Sequence, residues 1–287
     1  MFKTVGIVGV GLIGGSLALA MRENRLCETI IGFDNNQSNL DIALKSGIID
    51  AYADIKEIGL CDFVVVATPV LSVVSILKRI FTLLKKGSTV IDVGSVKGSI
   101  VNKVKNYIPD YINYVPTHPI AGKENFGPEA ADAHIFKDAY FIITPVDVMG
   151  FAEKKIAALA VAIKSKVEIM DYAKHDIVFS YLSHLPHALA YALVDLVNTH
   201  YEQDSSFKFF GGGFRDFVRI SKSNEFMWND IFFANKDNIL KAIDEYVDKL
   251  TELKLLIKNG NSQELTAMLK KSRLFKETID KENDSND

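Results

Sequence analysis

Glycines, histidines and arginines at close spacing mark four places in this chain where chemistry could sit. The first is Gly9-Val10-Gly11-Leu12-Ile13-Gly14, a Gly-x-Gly-x-x-Gly spacing. Such a run lets the backbone turn tightly and approach a pyrophosphate, with the N–H groups of a following helix aimed at the anion. Asp34 lies further on, at the spacing where an acidic side chain would accept hydrogen bonds from ribose hydroxyls. It would repel a 2′-phosphate, and Asn35, Asn36 and Gln37 bring no arginine to greet one, so NAD is expected over NADP. The alternative is a strand-turn-helix whose glycines serve packing only.

The second place is Asp92-Val93-Gly94-Ser95-Val96-Lys97; taken alone it reads as a turn with a surface lysine. The third is Thr117-His118-Pro119-Ile120-Ala121-Gly122-Lys123-Glu124. A histidine shares a proton near neutral pH. Beside a nicotinamide it could take a hydroxyl proton while hydride leaves the same carbon. The fourth combines Ser183-His184-Leu185-Pro186-His187, Gly211-Gly212-Gly213-Phe214-Arg215-Asp216-Phe217-Val218-Arg219 and Met227-Trp228. His184 and His187 share a helix face, but no cysteine or carboxylate at ligand spacing joins them, so no metal is expected. Arg215 and Arg219 could clamp carboxylates, or be surface arginines with Asp216 as partner. Trp228 by default packs in a core.

Elements must hold these groups in place. Val5 to Val10, Thr29 to Phe33, Asp62 to Ala67, Thr89 to Val93, Ile112 to Val115, Ala139 to Thr144 and Val167 to Asp171 read as strands. Helical stretches separate several of them, among them Ile13 to Arg25, Asn36 to Lys45, Val70 to Leu84 and Phe151 to Ser165. Apolar strands alternating with helices predict a doubly wound α/β, Rossmann-type parallel sheet covered on both faces. Pro116 to His134 reads as a long loop, of the kind that is more often functional than not. After Asp171 only helices are predicted: Tyr172 to His200, kinked or split by Pro186, then Glu225 to Asn235, Lys236 to Lys258 and Gln263 to Asp280. Ile239, Ile243, Tyr246, Leu250, Leu253 and Ile257 make a heptad stripe, suited to a long partner helix or to an ordinary bundle face. The polar residues 281–287 are expected to be disordered.

The 287 residues exceed the usual range of one core. Two domains are expected, 1–171 for the nucleotide and an all-α 172–287 for substrate and dimerisation, with the active site in the cleft between them. A net charge of −3 argues against a nucleic-acid partner. Thr4 to Met21 is uncharged and could suggest a secretory signal or membrane helix, but Gly6, Gly9, Gly11, Gly14 and Gly15 interrupt it. Two cysteines, Cys27 and Cys61, fit reduced thiols and a cytoplasmic protein without a membrane partner.

Taken in order, GVGLIGGS, DVGSVK, HPIAGKE, SHLPHALA and GGGFRDFVRI followed by MW make the sequence similar to the prephenate dehydrogenase family, including its arogenate-using relatives. The resemblance spans nearly the whole chain. It implies oxidative decarboxylation of prephenate to 4-hydroxyphenylpyruvate with NAD+ as oxidant, in tyrosine biosynthesis. His118 would be acceptor or base for the C4 hydroxyl, and Ser95 would bridge that hydroxyl, His118 and the nicotinamide. Arg219 would anchor a carboxylate, with His187, His184 and Arg215 on the substrate side and Trp228 and Glu124 lining or gating the pocket. Gly9, Gly11, Leu12, Ile13, Gly14, Asp34, Thr68, Pro69 and Ser95 would hold the cofactor. A homodimer through the helical domain is expected.

Lys123 stands where many relatives carry threonine, and Arg215 where some carry lysine; both bear on substrate preference. No chorismate mutase segment or separate regulatory domain is expected, so inhibition by tyrosine would act at or near the active site. Rival readings are an arogenate dehydrogenase, a dehydrogenase of the 3-hydroxy acid or imine-reductase type, and a nucleotide sensor without turnover. A sensor would need neither His118 nor Ser95.

Overall fold

The computed structural model describes residues 2–123, 125–201 and 208–284. Its strands are β1 (Phe2–Val8), β2 (Cys27–Phe33), β3 (Ala51–Tyr52), β4 (Phe63–Val66), β5 (Thr89–Asp92), β6 (Asn113–Pro119), β7 (Tyr140–Ile143) and β8 (Lys166–Ile169). The helices are α1 (Leu12–Glu23), α2 (Gln37–Lys45), α3 (Ile55–Ile58), α4 (Val70–Phe81), α5 (Gly98–Val104), α6 (Phe151–Ala162), α7 (Tyr172–Phe179), α8 (Leu185–Tyr201), α9 (Gly212–Val218), α10 (Glu225–Ala234), α11 (Lys236–Lys258) and α12 (Ser262–Asp284).

One sheet takes the order β3-β2-β1-β4-β5-β6-β7-β8. The chain winds outward from β1 to β3, returns to pair β4 with β1, then winds the other way. This is the doubly wound α/β arrangement, with its switch point between β1 and β4. The strand FVVV of β4 is buried along its whole length because both faces are covered. Phe63 and Val65 join a core containing Leu17, Met21 and Ile156. Val64 and Val66 join the opposite core with Val73, Leu77 and Ile80. Each such fully buried side chain stabilises by about 1.5–3 kcal/mol relative to exposure.

The uncharged N-terminal stretch is thus β1 and α1, a central strand and the helix that covers it. β6 and β7 pair antiparallel, whereas the other neighbours pair parallel. The strand β6 also runs through Pro116, where the sequence predicts a loop. Proline removes one ladder donor. The strand continues because the Pro116 carbonyl accepts from Thr144 N (3.0 Å), and Thr117 Oγ1 donates to the Asp92 carbonyl (2.6 Å). Only beyond Pro119 does the chain leave the sheet.

Every element after β8 is a helix among the described residues. A π-turn over Ser180–His184 interrupts the anticipated single helix from Tyr172, just ahead of Pro186. Pro186 has no N–H for the Leu182 carbonyl, so α-helical bonding fails there. By length and composition alone, Tyr172–Tyr201 could cross a membrane. However, His175, Asp176 and His184 within it are buried. Helix α12 runs to Asp284, past the start of the anticipated disordered tail; residues 285–287 lie outside the described residues. The chain divides into two compact units, through Asn238 and from Ile239 onward. In the second unit the heptad stripe of α11 begins at the buried Ile239 and ends at Ile257, which is 62% exposed.

Candidate active site

The parallel neighbours β1, β4, β5 and β6 place the segments that follow them along one edge of the sheet. Gly9 follows β1 with φ +91°, and an added Cβ would sit 2.5 Å from the Ala67 carbonyl oxygen. At Gly14, a Cβ would meet the Gly9 carbonyl oxygen at 2.1 Å. Gly11 differs, since a Cβ there would meet nothing within 4 Å. Its small size leaves an open approach to the start of α1, where no side chain caps the helix. Leu12 and Ile13 open that helix, so their N–H groups can face an anion. Asp34 Oδ2 accepts from Val10 N (3.0 Å) and Oδ1 from Asn36 N (2.8 Å), which locks the carboxylate beside the glycine turn. Thr68 and Pro69 follow β4, and the Thr68 methyl lies 3.1 Å from where a Gly9 Cβ would be. Glycine turn, open helix start and fixed carboxylate together fit a dinucleotide.

After β5, Ser95 is half-buried, and its hydroxyl forms no hydrogen bond with any described residue. Lys97 is not a surface charge: it is wholly buried. Its ammonium pairs with the Asp92 carboxylate and donates to the Thr117 carbonyl (2.7 Å). The Tyr114 hydroxyl donates to the other Asp92 oxygen (2.7 Å). A cation can stay in this interior because its donors find a carboxylate and a carbonyl. Burial pulls the Lys97 pKa down, while Asp92 pushes it up.

His118 lies in β6 and is 9% exposed, so it is a strand residue rather than a solvated loop residue. Its Nδ1 is 2.9 Å from His175 Nε2, and His175 Nδ1 is 2.8 Å from Asp176 Oδ1. Asp176 also accepts from Lys97 N (2.8 Å) and Gly98 N (2.7 Å). Phe179 packs on both rings, with centroids 4.9 Å from His118 and 4.5 Å from His175. Burial, then the charges of His175, Lys97 and His184, hold His118 well below the usual histidine range. His175 is also lowered by burial, with Asp176 opposing.

Asn235 Nδ2 donates to the Asp176 carbonyl (2.8 Å) and to His184 Nδ1 (3.1 Å). Burial lowers His184 to about 4. His187 Nδ1 donates to the Ser183 carbonyl (2.9 Å). Its ring stacks on Trp228 at 3.6 Å and 22°. Trp228 is buried, and its indole N–H has no hydrogen-bond partner among the described residues. Arg215 and Arg219 line a cavity of about 600 Å³ with Tyr201, Phe210, Phe214 and Lys222. The Arg219 charge reaches His187 and helps to lower it, after burial. Arg215 sits over the Phe210 ring at 5.5 Å. Glu124 lies outside the described residues.

The structure therefore groups His118 with His184, and His187 with Trp228 and Arg219. No contiguous motif in the sequence marks His175, Asp176, Asn235 or Tyr114. Helix α7 buries His175 and Asp176 while Ile177 is 51% exposed. Periodicity that looks for apolar inward positions selects the wrong face of such a helix.

Two family models match the chain: "Prephenate dehydrogenase, nucleotide-binding domain" over residues 17–173 and "Prephenate dehydrogenase, dimerization domain" over residues 171–271. The chain is 32% identical to a prephenate dehydrogenase of Bacillus subtilis, covering 97% of this chain and 76% of that protein. It is 30% identical to a cyclohexadienyl dehydrogenase of Zymomonas mobilis, covering 95% and 94%. Among solved structures it is similar to prephenate dehydrogenase from A. aeolicus in complex with hydroxyphenyl propionate and NAD+. That match has a TM-score of 0.90 at 36% identity and covers 97% of this chain and 99% of that one. A Synechocystis arogenate dehydrogenase superposes with a TM-score of 0.80 at 25% identity, covering 96% and 100%.

Proposed function

The chain belongs to the prephenate dehydrogenase family, and from that premise we propose how its own residues serve the reaction. It is an NAD-dependent oxidoreductase of tyrosine biosynthesis that converts prephenate to 4-hydroxyphenylpyruvate with loss of CO2. NAD+, when bound, supplies the acceptor for the hydride that leaves C4 of the substrate. The Gly9–Gly14 turn would hold the pyrophosphate, with the Leu12 and Ile13 N–H groups available to it, and Asp34 would hold a ribose. Thr68, Pro69 and Ser95 line the same edge.

His118 accepts the C4 hydroxyl proton as the carbon–oxygen bond gains double-bond character. The ring carboxylate then leaves as CO2, its bonding electrons complete the aromatic ring, and His118 returns the proton to the phenol oxygen. The observation that carries this reading is a buried, neutral His118 on the edge shared with the glycine turn. Arg219 anchors a substrate carboxylate, helped by Arg215. His187, His184 and Trp228 line the substrate side.

We place the functional border near Asp171, where the sheet has just ended, and assign pairing of two copies to the helices beyond it. Support comes from large exposed apolar side chains there, such as Leu182 (76%) and Phe226 (73%). Tyrosine, resembling the product ring, would inhibit by occupying the same pocket. Cys27 and Cys61 are free thiols, in keeping with a cytoplasmic enzyme.

Formation of reduced cofactor, followed by its absorbance, tests the assignment with prephenate, arogenate and a simple 3-hydroxy acid in parallel. Prephenate should be oxidised fastest. Faster turnover of arogenate would reassign the substrate, and cofactor binding without reduction would remove the enzymatic reading.

A further inference from the structure

Two buried titratable side chains stand directly behind His118. His175 is wholly buried and Asp176 nearly so. They form a line of hydrogen bonds: Asp176 Oδ1 to His175 Nδ1 at 2.8 Å, then His175 Nε2 to His118 Nδ1 at 2.9 Å. The direction of donation follows from the far end. Asp176 accepts two backbone N–H bonds, from Lys97 and Gly98. A carboxylate accepting those bonds also accepts from the imidazole, so the proton of His175 sits on Nδ1. Burial keeps His175 neutral despite Asp176, so its Nε2 carries a lone pair. That lone pair can only accept, and His118 must donate from Nδ1. The remaining nitrogen of His118, Nε2, is then a bare acceptor.

This matters because a neutral histidine in water prefers its proton on Nε2. In that form His118 would offer an N–H where the reaction needs a lone pair. The partner of one ring nitrogen decides the state of the other.

We propose that Asp176 and His175 are positioning residues that fix the tautomer of His118, so that Nε2 is presented to the substrate hydroxyl as a hydrogen-bond acceptor. The inference rests on the reading of His118 as that acceptor. Asn235, which donates to the Asp176 carbonyl and to His184 Nδ1, braces the same assembly from α10's C-terminal end.

The test compares His175→Gln with His175→Phe, each in the full-length protein and each with and without His118→Asn. Glutamine can accept from His118 through its carbonyl oxygen and donate to Asp176 through its amide. Phenylalanine can do neither. His175→Phe should lower kcat about 100-fold with KM for prephenate and NAD+ within about 2-fold, the signature of a group needed only in the transition state. His175→Gln should recover kcat to within about 10-fold of the parent. In the His118→Asn background, His175→Phe should cost little more, because the two act as one unit. Nitrogen-15 NMR of the histidine-labelled protein reads the tautomer without turnover, and should find the His118 proton on Nδ1 in the parent and in His175→Gln. A His118 proton on Nε2 in the parent overturns the proposal. So does an undiminished kcat in His175→Phe, or an equal loss in the phenylalanine and glutamine variants. If His118→Asn alone is fully active, the reading of His118 as acceptor fails, while the NMR result still stands by itself.

Discussion

The histidine end of the site and its arginine end are built on opposite principles. His118, His175 and His184 are buried on or beside the sheet, each with a ring nitrogen committed to a protein partner. Arg215 and Arg219 lie on the exposed surface of α9 and the turn after it, at the wall of an open cavity. Desolvation removes charge from imidazoles and leaves lone pairs, which is what a proton acceptor requires. Guanidinium groups keep their charge in water and can attract a dianion before it is desolvated. One end is fixed and neutral, and the other is accessible and charged. The protein's net charge of −3 therefore says little about its affinity for an anionic substrate.

Substitutions can break this contrast at either end. The largest effect is expected at the buried end, where His118→Asn should cut kcat by about a thousandfold, in the usual range for a positioned acid–base group. NAD affinity, read by calorimetry, should stay unchanged, and full activity would remove His118 from the mechanism. Lys97→Met tests whether burial there depends on pairing. It leaves Asp92 in the interior with Tyr114 and backbone donors but no cation, and should destabilise by about 3–5 kcal/mol in urea unfolding. A loss below about 1 kcal/mol would show that water reaches the carboxylate.

Acid should weaken the same end. His184 is lowered to about 4 in the folded protein, whereas the unfolded chain takes up the proton near its ordinary 6.5. The unfolded state thus binds the proton first as pH falls. This group's contribution is complete above about pH 6.5 and declines by about 3 kcal/mol as pH drops toward 4. The urea midpoint should fall across that window, and less so in His184→Gln. The smallest effect belongs to the exposed end. Arg219→Ala should raise KM for prephenate about 10- to 100-fold with kcat little changed, through loss of a charge-assisted contact. An unchanged KM would assign the carboxylate to Arg215 or Lys222.

Much of the fold was legible before the structure. A short β-branched apolar run such as Phe63–Val66, closed by a turn at Thr68-Pro69, reads as a strand buried on two faces, and Gly9 to Gly14 announces the turn by residue type and spacing. In sequence, Pro116 reads as the end of strand β6 because proline removes a ladder donor, and here a carbonyl bond and a threonine hydroxyl carry the strand through. Lys97 read as a surface residue because local sequence does not reveal that a carboxylate, a carbonyl and the sheet will enclose it.

His118, Arg219 and the glycine turn are legible in the sequence itself as candidates, since each belongs to a short contiguous motif whose residue types limit its chemistry. Their working states were decided only in three dimensions. The neutrality of His118, its partner 57 residues away, and Asp176 behind that partner arise when β6, α5 and α7 come together. Hydrogen bonds and desolvation depend on distance in space, and distance along the chain does not report them.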